Sequence, residues 1–468
     1  MTSNMSQDST LPDAPEANDR PWEDLLRHAR SGDPQQLTDC VEQLSTGDQA
    51  RALSRLSEDE RSEVLTALSA EEAAELIRCL PEMQAANTIG MLQVDTAAAI
   101  VHELHSDEQA DVLGDVSSEQ AEAILQALPD DEAAAVRELT SFADDVAGGL
   151  MICEVLRFHE NMTVAEVIHQ LSANEDEYSD FDVQYGYVCD SEDRLIGVIP
   201  MRNLLFAKRS ERIATIMIRN PLSVFDSTSL EDLVEFFDDH SFLGAPVIDA
   251  GGHLRGVIHR DAVDYEATRA VESDYLKSQG IVGGEELRTM PIWLRARRRL
   301  SWLSINVFLN LGAASVIAMF QDTLEAVIAL AVFLPIISDM SGCSGNQAVA
   351  VSMRELSLGL VRPTEAFRVW WQEVSVGLIN GTVLGLLVAL AAFVFNGNLY
   401  LGLVVGVALL TNTIIAVSIG GTVPLLLKRF GVDPAVASGP LLTTVTDMCG
   451  FFLVLGMATL MLSKLVTP

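Results

Sequence analysis

The 468-residue chain is poor in the groups that catalysis and redox chemistry use. Its 8 histidines never cluster at ligand spacing, and no Walker loop, GxSxG or HExxH pattern occurs. No catalytic constellation stands out, so the chain is not expected to be an enzyme, and transport or sensing is the better default. The six cysteines, at 40, 79, 153, 189, 343 and 449, form no CxxC and no regular framework. Scattered single cysteines suit a reduced cytosolic domain joined to a membrane domain without disulfides. The first 20 residues are polar and acidic with no apolar core to read as a signal peptide, and they are expected to be disordered. Basic residues are scarce, 30 against 66 acidic ones, which gives no ground for a nucleic-acid partner.

The acidity is not spread evenly. Residues 1–290 carry 58 acidic and 20 basic side chains, net -38, whereas residues 291–468 carry 8 and 10, net +2. The acidic front is a soluble half. The back half holds apolar runs long enough to cross a hydrocarbon layer, which takes roughly 20 helical residues. Ser301 to Phe320 is one run; Val374 to Leu427 is 54 residues without a charge, divided into two spans by the turn-like Asn396-Gly397-Asn398. Thr323 to about Ser344 and Ala435 to about Ser463 add two more, each with a single internal Asp, for five spans in all. Arg295, Arg297, Arg298, Arg299, Arg354, Arg362, Arg368, Lys428 and Arg429 all fall on one side if the N-terminus is inside, and the bias of Lys and Arg toward the cytoplasm then puts the C-terminus outside.

Two internal repeats organise the soluble half. Leu44, Leu56, Leu68, Leu80, Leu92, Leu104, Val116 and Leu128 recur every 12 residues, and Leu53, Leu65, Ile77, Ile89, Val101, Leu113 and Leu125 form a second ladder. Units opening with SEDE, SAEE, SDEQ or PDDE suit helix N-termini. Short helices joined by tight turns are therefore expected to stack into a small superhelix with an acidic rim. In the second repeat, VCDSEDRLIGVIPMRNLL and VIDAGGHLRGVIHRDAVD both read strand, turn, strand, helix, with Asp190, Leu195, Gly197, Val198 and Ile199 matching Asp249, Leu254, Gly256, Val257 and Ile258 at an offset of 59. Helices at 163–171 and 229–237 precede the two copies, and NEDEYSDFD, 174–182, is an acidic insertion in the first. This tandem pair resembles CBS domains. A helical stretch from Asp261 to about Gln279 leads out of it toward the membrane.

In the membrane half, charge marks the chemistry. Asp447 lies about 12 residues, or ~18 Å, into the last span, where an ionised side chain is costly unless water, a cation or a partner meets it. Asp339 lies close to the inner end of the second span. The segment around it, LPIISDMSGCSGNQ, combines Pro335, Gly342 and Gly345 with polar Ser338, Ser341, Ser344, Asn346 and Gln347. A helix broken by Gly and Pro at this depth is expected to line a water-filled path. Carboxylates, amides and hydroxyls without histidine suit Mg2+ or Ca2+, and Mg2+ sheds water so reluctantly that an Asp would hold it through its hydration shell.

The whole arrangement resembles the MgtE family of magnesium channels and transporters over roughly residues 25–465. Three segments carry the resemblance: FLPIISDMSGCSGNQAVAVSMRELSLG, VPLLLKRFGVDPAVASGP and TTVTDMCGFF. It implies a multidomain membrane protein with an α-helical superhelical N-domain, an α/β CBS-domain pair, a connecting helix and a five-helix transmembrane domain. The corresponding boundaries are a tail at 1–24, the acidic helical-repeat domain at 25–147, the CBS pair at 148–260, the connecting helix and linker at 261–290 and the membrane domain at 291–468. It implies a homodimer in the lipid of a bacterial inner membrane, with its ion path near the dimer interface. Asp447 occupies the family's selectivity aspartate, with Asn346 and Gly342 on the glycine-rich segment beside it. Cys343 stands in place of a usual Asn and Asp339 in place of a small residue. The family's gating logic makes Mg2+ a regulator as well as cargo: divalent cations between the acidic N-domain, the CBS pair and the connecting helix shut the pore, and Asp261, Glu266, Glu272 and Asp274 are the sensor candidates. CBS pairs also bind adenine nucleotides, so ATP is a further candidate ligand, with Asp261 placed to accept a ribose hydroxyl, His259 and Arg260 in place of the usual Ser or Thr, and Asn203 in the first copy. Two other readings are a nucleotide-responsive CBS membrane sensor that moves no ion and a related carrier for Co2+ or Ca2+.

Overall fold

The computed structural model describes residues 20–466, apart from 175–177, 179, 180, 182, 183, 285, 289 and 358; of residues 436–438, 440 and 441 only the backbone is described. Residues 1–19 of the expected tail and most of the acidic insertion at 174–182 lie outside the described residues. The described chain falls into two compact units that meet within one helix, Arg260–Ser278, the first ending at Ala267 and the second starting at Thr268.

In the first unit the 12-residue period is one helix plus one turn. Helix-capping positions fall at Ser45, Ser57, Ser69, Pro81, Gln93, His105, Ser117 and Pro129. Ser57 and Ser69 head full capping boxes, in which Glu60 and Glu72 reach back to the capping backbone at 2.9 and 3.0 Å. Such reciprocal bonds satisfy amides that a helix start otherwise leaves open. The ladder from Leu53 to Leu125 is buried throughout, because each helix packs on the next but one and turns that position inward. The first helix begins at Pro21, inside the segment expected as a tail, and buries Leu25.

The two CBS copies repeat each other down to their irregularities. β1 (Arg157–His159) runs parallel to β2 (Tyr185–Cys189), which pairs antiparallel with β3 (Leu195–Pro200), and β3 with β4 (Ile218–Arg219). β5 (Val224–Phe225) runs parallel to β6 (Gly244–Ile248), which pairs antiparallel with β7 (Leu254–His259). Both hairpins bulge at the same place, Val188/Cys189 and Val247/Ile248. The matched aspartates are turn formers: Asp190 Oδ1 accepts from the Glu192 and Arg194 amides, and Asp249 Oδ1 from those of Gly251 and His253. One core joins repeat helices and the second copy, so Leu113 and Val136 share a cluster with Leu233, Phe237 and Val247.

The second unit holds five long helices: Ile292–Met319, Leu330–Ser357, Ala366–Asn396, Leu399–Arg429 and Pro434–Leu460. Gly397, at φ +69°, and the Asn398 cap make the expected turn between the third and fourth. Among the described residues four helices are long and apolar enough to cross a membrane on their own composition, and Leu330–Ser357 is not one of them. That helix corrects two expectations. It runs to Ser357 rather than ending near Ser344, and it is continuous through Pro335, Gly342 and Gly345 instead of broken. The physical reason is its surroundings: Ser341, Ser344 and Ser352 are buried against neighbouring helices, and Ser352 Oγ donates to Gly421 O at 2.9 Å. Its backbone touches that of Leu399–Arg429 closely enough that a Cβ at Gly420 would lie 2.3 Å from Gly345 O.

Candidate ion site and acidic cluster

Asp447 sits in the middle of Pro434–Leu460, 8% exposed, and Ser338 Oγ donates to its Oδ1 across to Leu330–Ser357. Thr446, next to it in the chain, and Asn412 and Thr413 of Leu399–Arg429 are fully buried. Thr443 is one turn before Asp447 on the same helix face. It lines a cavity of about 950 Å³ that also takes in Asn306 and Asn310 of the first long helix, Asn346 of the second, and Asp274 of the connecting helix. Neutral polar side chains thus border, together with Asp274, Arg354 and apolar residues such as Trp302 and Met353, a cavity that reaches to one helical turn from a buried carboxylate.

The other candidates of this half separate. Gly342 is half-buried and Asn346 is exposed to the cavity, but Asp339 is exposed on a different face from Ser338, with 18 further helical residues after it. It is therefore not at a helix end, as expected. Cys343 is exposed. Asn306, Asn310 and Thr443, which border the cavity, were not singled out in the sequence, and Ser338 only as a polar member of its segment; the i, i+4 spacing of the two asparagines in an apolar run was the available signal.

At the mouth, Lys277 Nζ lies 3.2 Å from Asp433 Oδ2 and 3.8 Å from Asp274 Oδ1. Asp433 Oδ1 in turn accepts from the Ala435 amide at 2.8 Å, capping the helix that carries Asp447. Burial and the Asp433 charge raise the Asp274 pKa. Glu272 is exposed, away from this pair.

In the first unit, Glu266 gathers with carboxylates from far along the chain. Burial, then the charges of Asp144 and Asp145, push Glu266 up to about 7. Burial, then Asp107, Asp144, Glu266 and Asp115, push Asp111 up to about 7 as well, and Asp107 stands at about 6. Asp111, Asp107 and Asp144 belong to the acidic rim of the repeat domain, and no local pattern singles them out. Asp261 is exposed, accepting from its neighbour's amide at 3.1 Å. A separate cleft of about 670 Å³ between the CBS copies is lined by Tyr185, Tyr187, Arg202, Asn220 and Phe242 among others; Asp261 is not among its lining residues, and His259 borders a second, smaller cleft between the copies. Among the described residues no three His, Cys, Asp or Glu side chains are close enough to cage a metal ion. The donor set fits a cation that keeps its water, as Mg2+ does, better than one that must be stripped.

Comparison with known proteins agrees with this layout. Family models match as the MgtE intracellular N domain over residues 32–145, the CBS domain over 145–210 and 213–264, and a divalent cation transporter over 334–457. The magnesium transporter MgtE of Enterococcus faecalis is 32% identical over 331 residues, covering 71% of this chain and 72% of the relative. The chain belongs to the MgtE family. MgtE of Thermus thermophilus is also 32% identical, covering 70% and 73%. A crystal structure of the cytosolic domain of the Mg2+ channel MgtE in complex with ATP is similar over 52% of this chain and 99% of its own, at 29% identity and a TM-score of 0.48. Both of these relatives are named as magnesium transporters.

Proposed function

We propose that this MgtE protein moves Mg2+ across a bacterial inner membrane as a homodimeric channel, N-terminus cytoplasmic and C-terminus outside, and that cytoplasmic Mg2+ shuts it. The observation that carries the proposal is the buried Asp447, braced by Ser338 one helical turn from a cavity that Asn306, Asn310 and Asn346 help to line. A carboxylate so placed is expensive in a protein that moves nothing, which disfavours a pure nucleotide sensor. One carboxylate per chain is too few to strip Mg2+, so a hydrated ion held between two copies of Asp447 is the arrangement that fits. Leu205 and Phe206, 81% and 89% exposed on the first CBS copy, support a second copy as partner.

The acidic cluster supplies the gate's energy. Asp107, Asp111, Asp144, Asp145 and Glu266 repel one another when ionised, and a hydrated divalent cation held near them through its waters lowers that repulsion. Glu266, Asp274 and Lys277 ride on one helix, so a shift of its first half reaches Asp433, the cap of the Asp447 helix. ATP, where it binds, has the CBS cleft as its place, with Tyr185, Tyr187 and Phe242 as stacking surfaces and Arg202 for phosphate. The test is growth of a Mg2+-dependent strain on the wild type and on Asp447→Ala. Rescue by the wild type alone supports the channel; full rescue by Asp447→Ala removes the role given to this residue.

A further inference from the structure

Asn412 lies midway along Leu399–Arg429 with its side chain fully enclosed. Its Nδ2 donates at 3.0 Å to the carbonyl of Thr446, the residue before Asp447. The approach depends on Gly450, where a Cβ would lie 2.7 Å from Asn412 Nδ2 and 3.2 Å from Ile337 Cγ2. A helix carbonyl already serves the amide four residues on, so the Asn412 bond is an added one that ties the fourth membrane helix to the turn carrying the carboxylate. The other end of the amide, Oδ1, has no hydrogen-bond partner among the described residues, and neither has the equally buried Ser341 Oγ one turn along from Ile337. Leu has the same number of side-chain heavy atoms and would fill the space without the desolvation cost of an unmatched polar atom. A buried, half-satisfied amide therefore calls for a role other than packing.

We propose that Asn412 is a positioning residue for Asp447, fixing the Thr446–Asp447 backbone so that the carboxylate meets the ion at a set height, and thereby favouring Mg2+ over Ca2+. The inference rests on Asp447 as the carboxylate that faces the ion. Mg2+ holds its waters at fixed octahedral geometry while Ca2+ keeps a looser and larger shell, so a carboxylate free to drift away from those waters loses hydrated Mg2+ preferentially. Asn412→Leu deletes the donor while keeping the branching and number of heavy atoms, in a somewhat bulkier side chain; Gly450→Ala keeps the amide but pushes it off the carbonyl.

The test is concentration-dependent flux of Mg2+ and, separately, Ca2+ into liposomes holding the full chain, with thermal unfolding in detergent alongside. Both variants are expected to raise the half-saturating Mg2+ concentration about tenfold, the equivalent of one buried hydrogen bond, and to lower the Mg2+ to Ca2+ preference while maximal flux changes little. An unchanged half-saturating concentration and preference would overturn the proposal. So would a loss of maximal flux and melting temperature at unchanged concentration dependence, the signature of a packing residue. Should Asn412→Leu not fold, Gly450→Ala carries the same comparison. A wild type that moves neither ion would overturn the reading of Asp447 itself, and shows before any variant is made.

Discussion

Protons and divalent cations should compete for the acidic cluster around Asp111 and Glu266. Both carboxyls stand at about 7, above ordinary values of 3.8 and 4.5, because they are buried among Asp107, Asp115, Asp144 and Asp145. A raised folded-state pKa stabilises the folded unit fully below the unfolded value, near pH 4, and that contribution is lost as pH rises through about 7. Above pH 7 a cation must take over from the protons. If binding needs one of these carboxylates ionised, the Mg2+ concentration for half-effect should rise about tenfold from pH 8 to pH 6, and about a hundredfold if it needs both. The assay is limited proteolysis of the full chain in detergent, titrated with Mg2+ at each pH; the titration midpoint does not depend on the protease's own rate. Asp111→Asn, neutral at every pH, should make the unit resist cleavage at pH 8 without Mg2+ and should flatten the pH dependence. A midpoint equal at pH 6 and pH 8 in the wild type would refute the reasoning, since the cluster would then take no part in cation binding.

Two further outcomes follow from contacts inside the membrane half. Ser338→Ala removes the donor to Asp447 and should lower Mg2+ flux several-fold without changing the amount of folded protein, measured by liposome uptake against size-exclusion profiles. Gly420→Ala places a methyl group 2.3 Å from Gly345 O, so the two helices must part, costing about 1–3 kcal/mol and visible as a lower melting temperature.

The parts of this architecture that were legible in the sequence are those in which one local pattern recurs. The 12-residue period survives because every unit is one capped helix and one turn, and the CBS match at offset 59 survives because turn aspartates and close-packed glycines cannot be exchanged freely. Gly256 is an instance: a Cβ there would lie 2.4 Å from Ile152 O. Asp447 was legible because a charge in an apolar run is conspicuous. Polar residues satisfied by other helices were misread. The segment around Asp339 looked like a break, yet its serines are enclosed by neighbours that no local window reveals. The cluster of Asp111 and Asp144 with Glu266 joins residues more than a hundred positions apart, and of its members only Glu266 stood out in the sequence.

The most direct measurement is Mg2+ uptake into liposomes containing the purified full chain, wild type against Asp447→Ala, in the presence of Co2+ and Ca2+ as competitors. The account predicts Mg2+ entry through the wild type, weaker competition by Ca2+ than by unlabelled Mg2+, and loss of entry in the variant. Mg2+ entry through Asp447→Ala at the wild-type rate would contradict it.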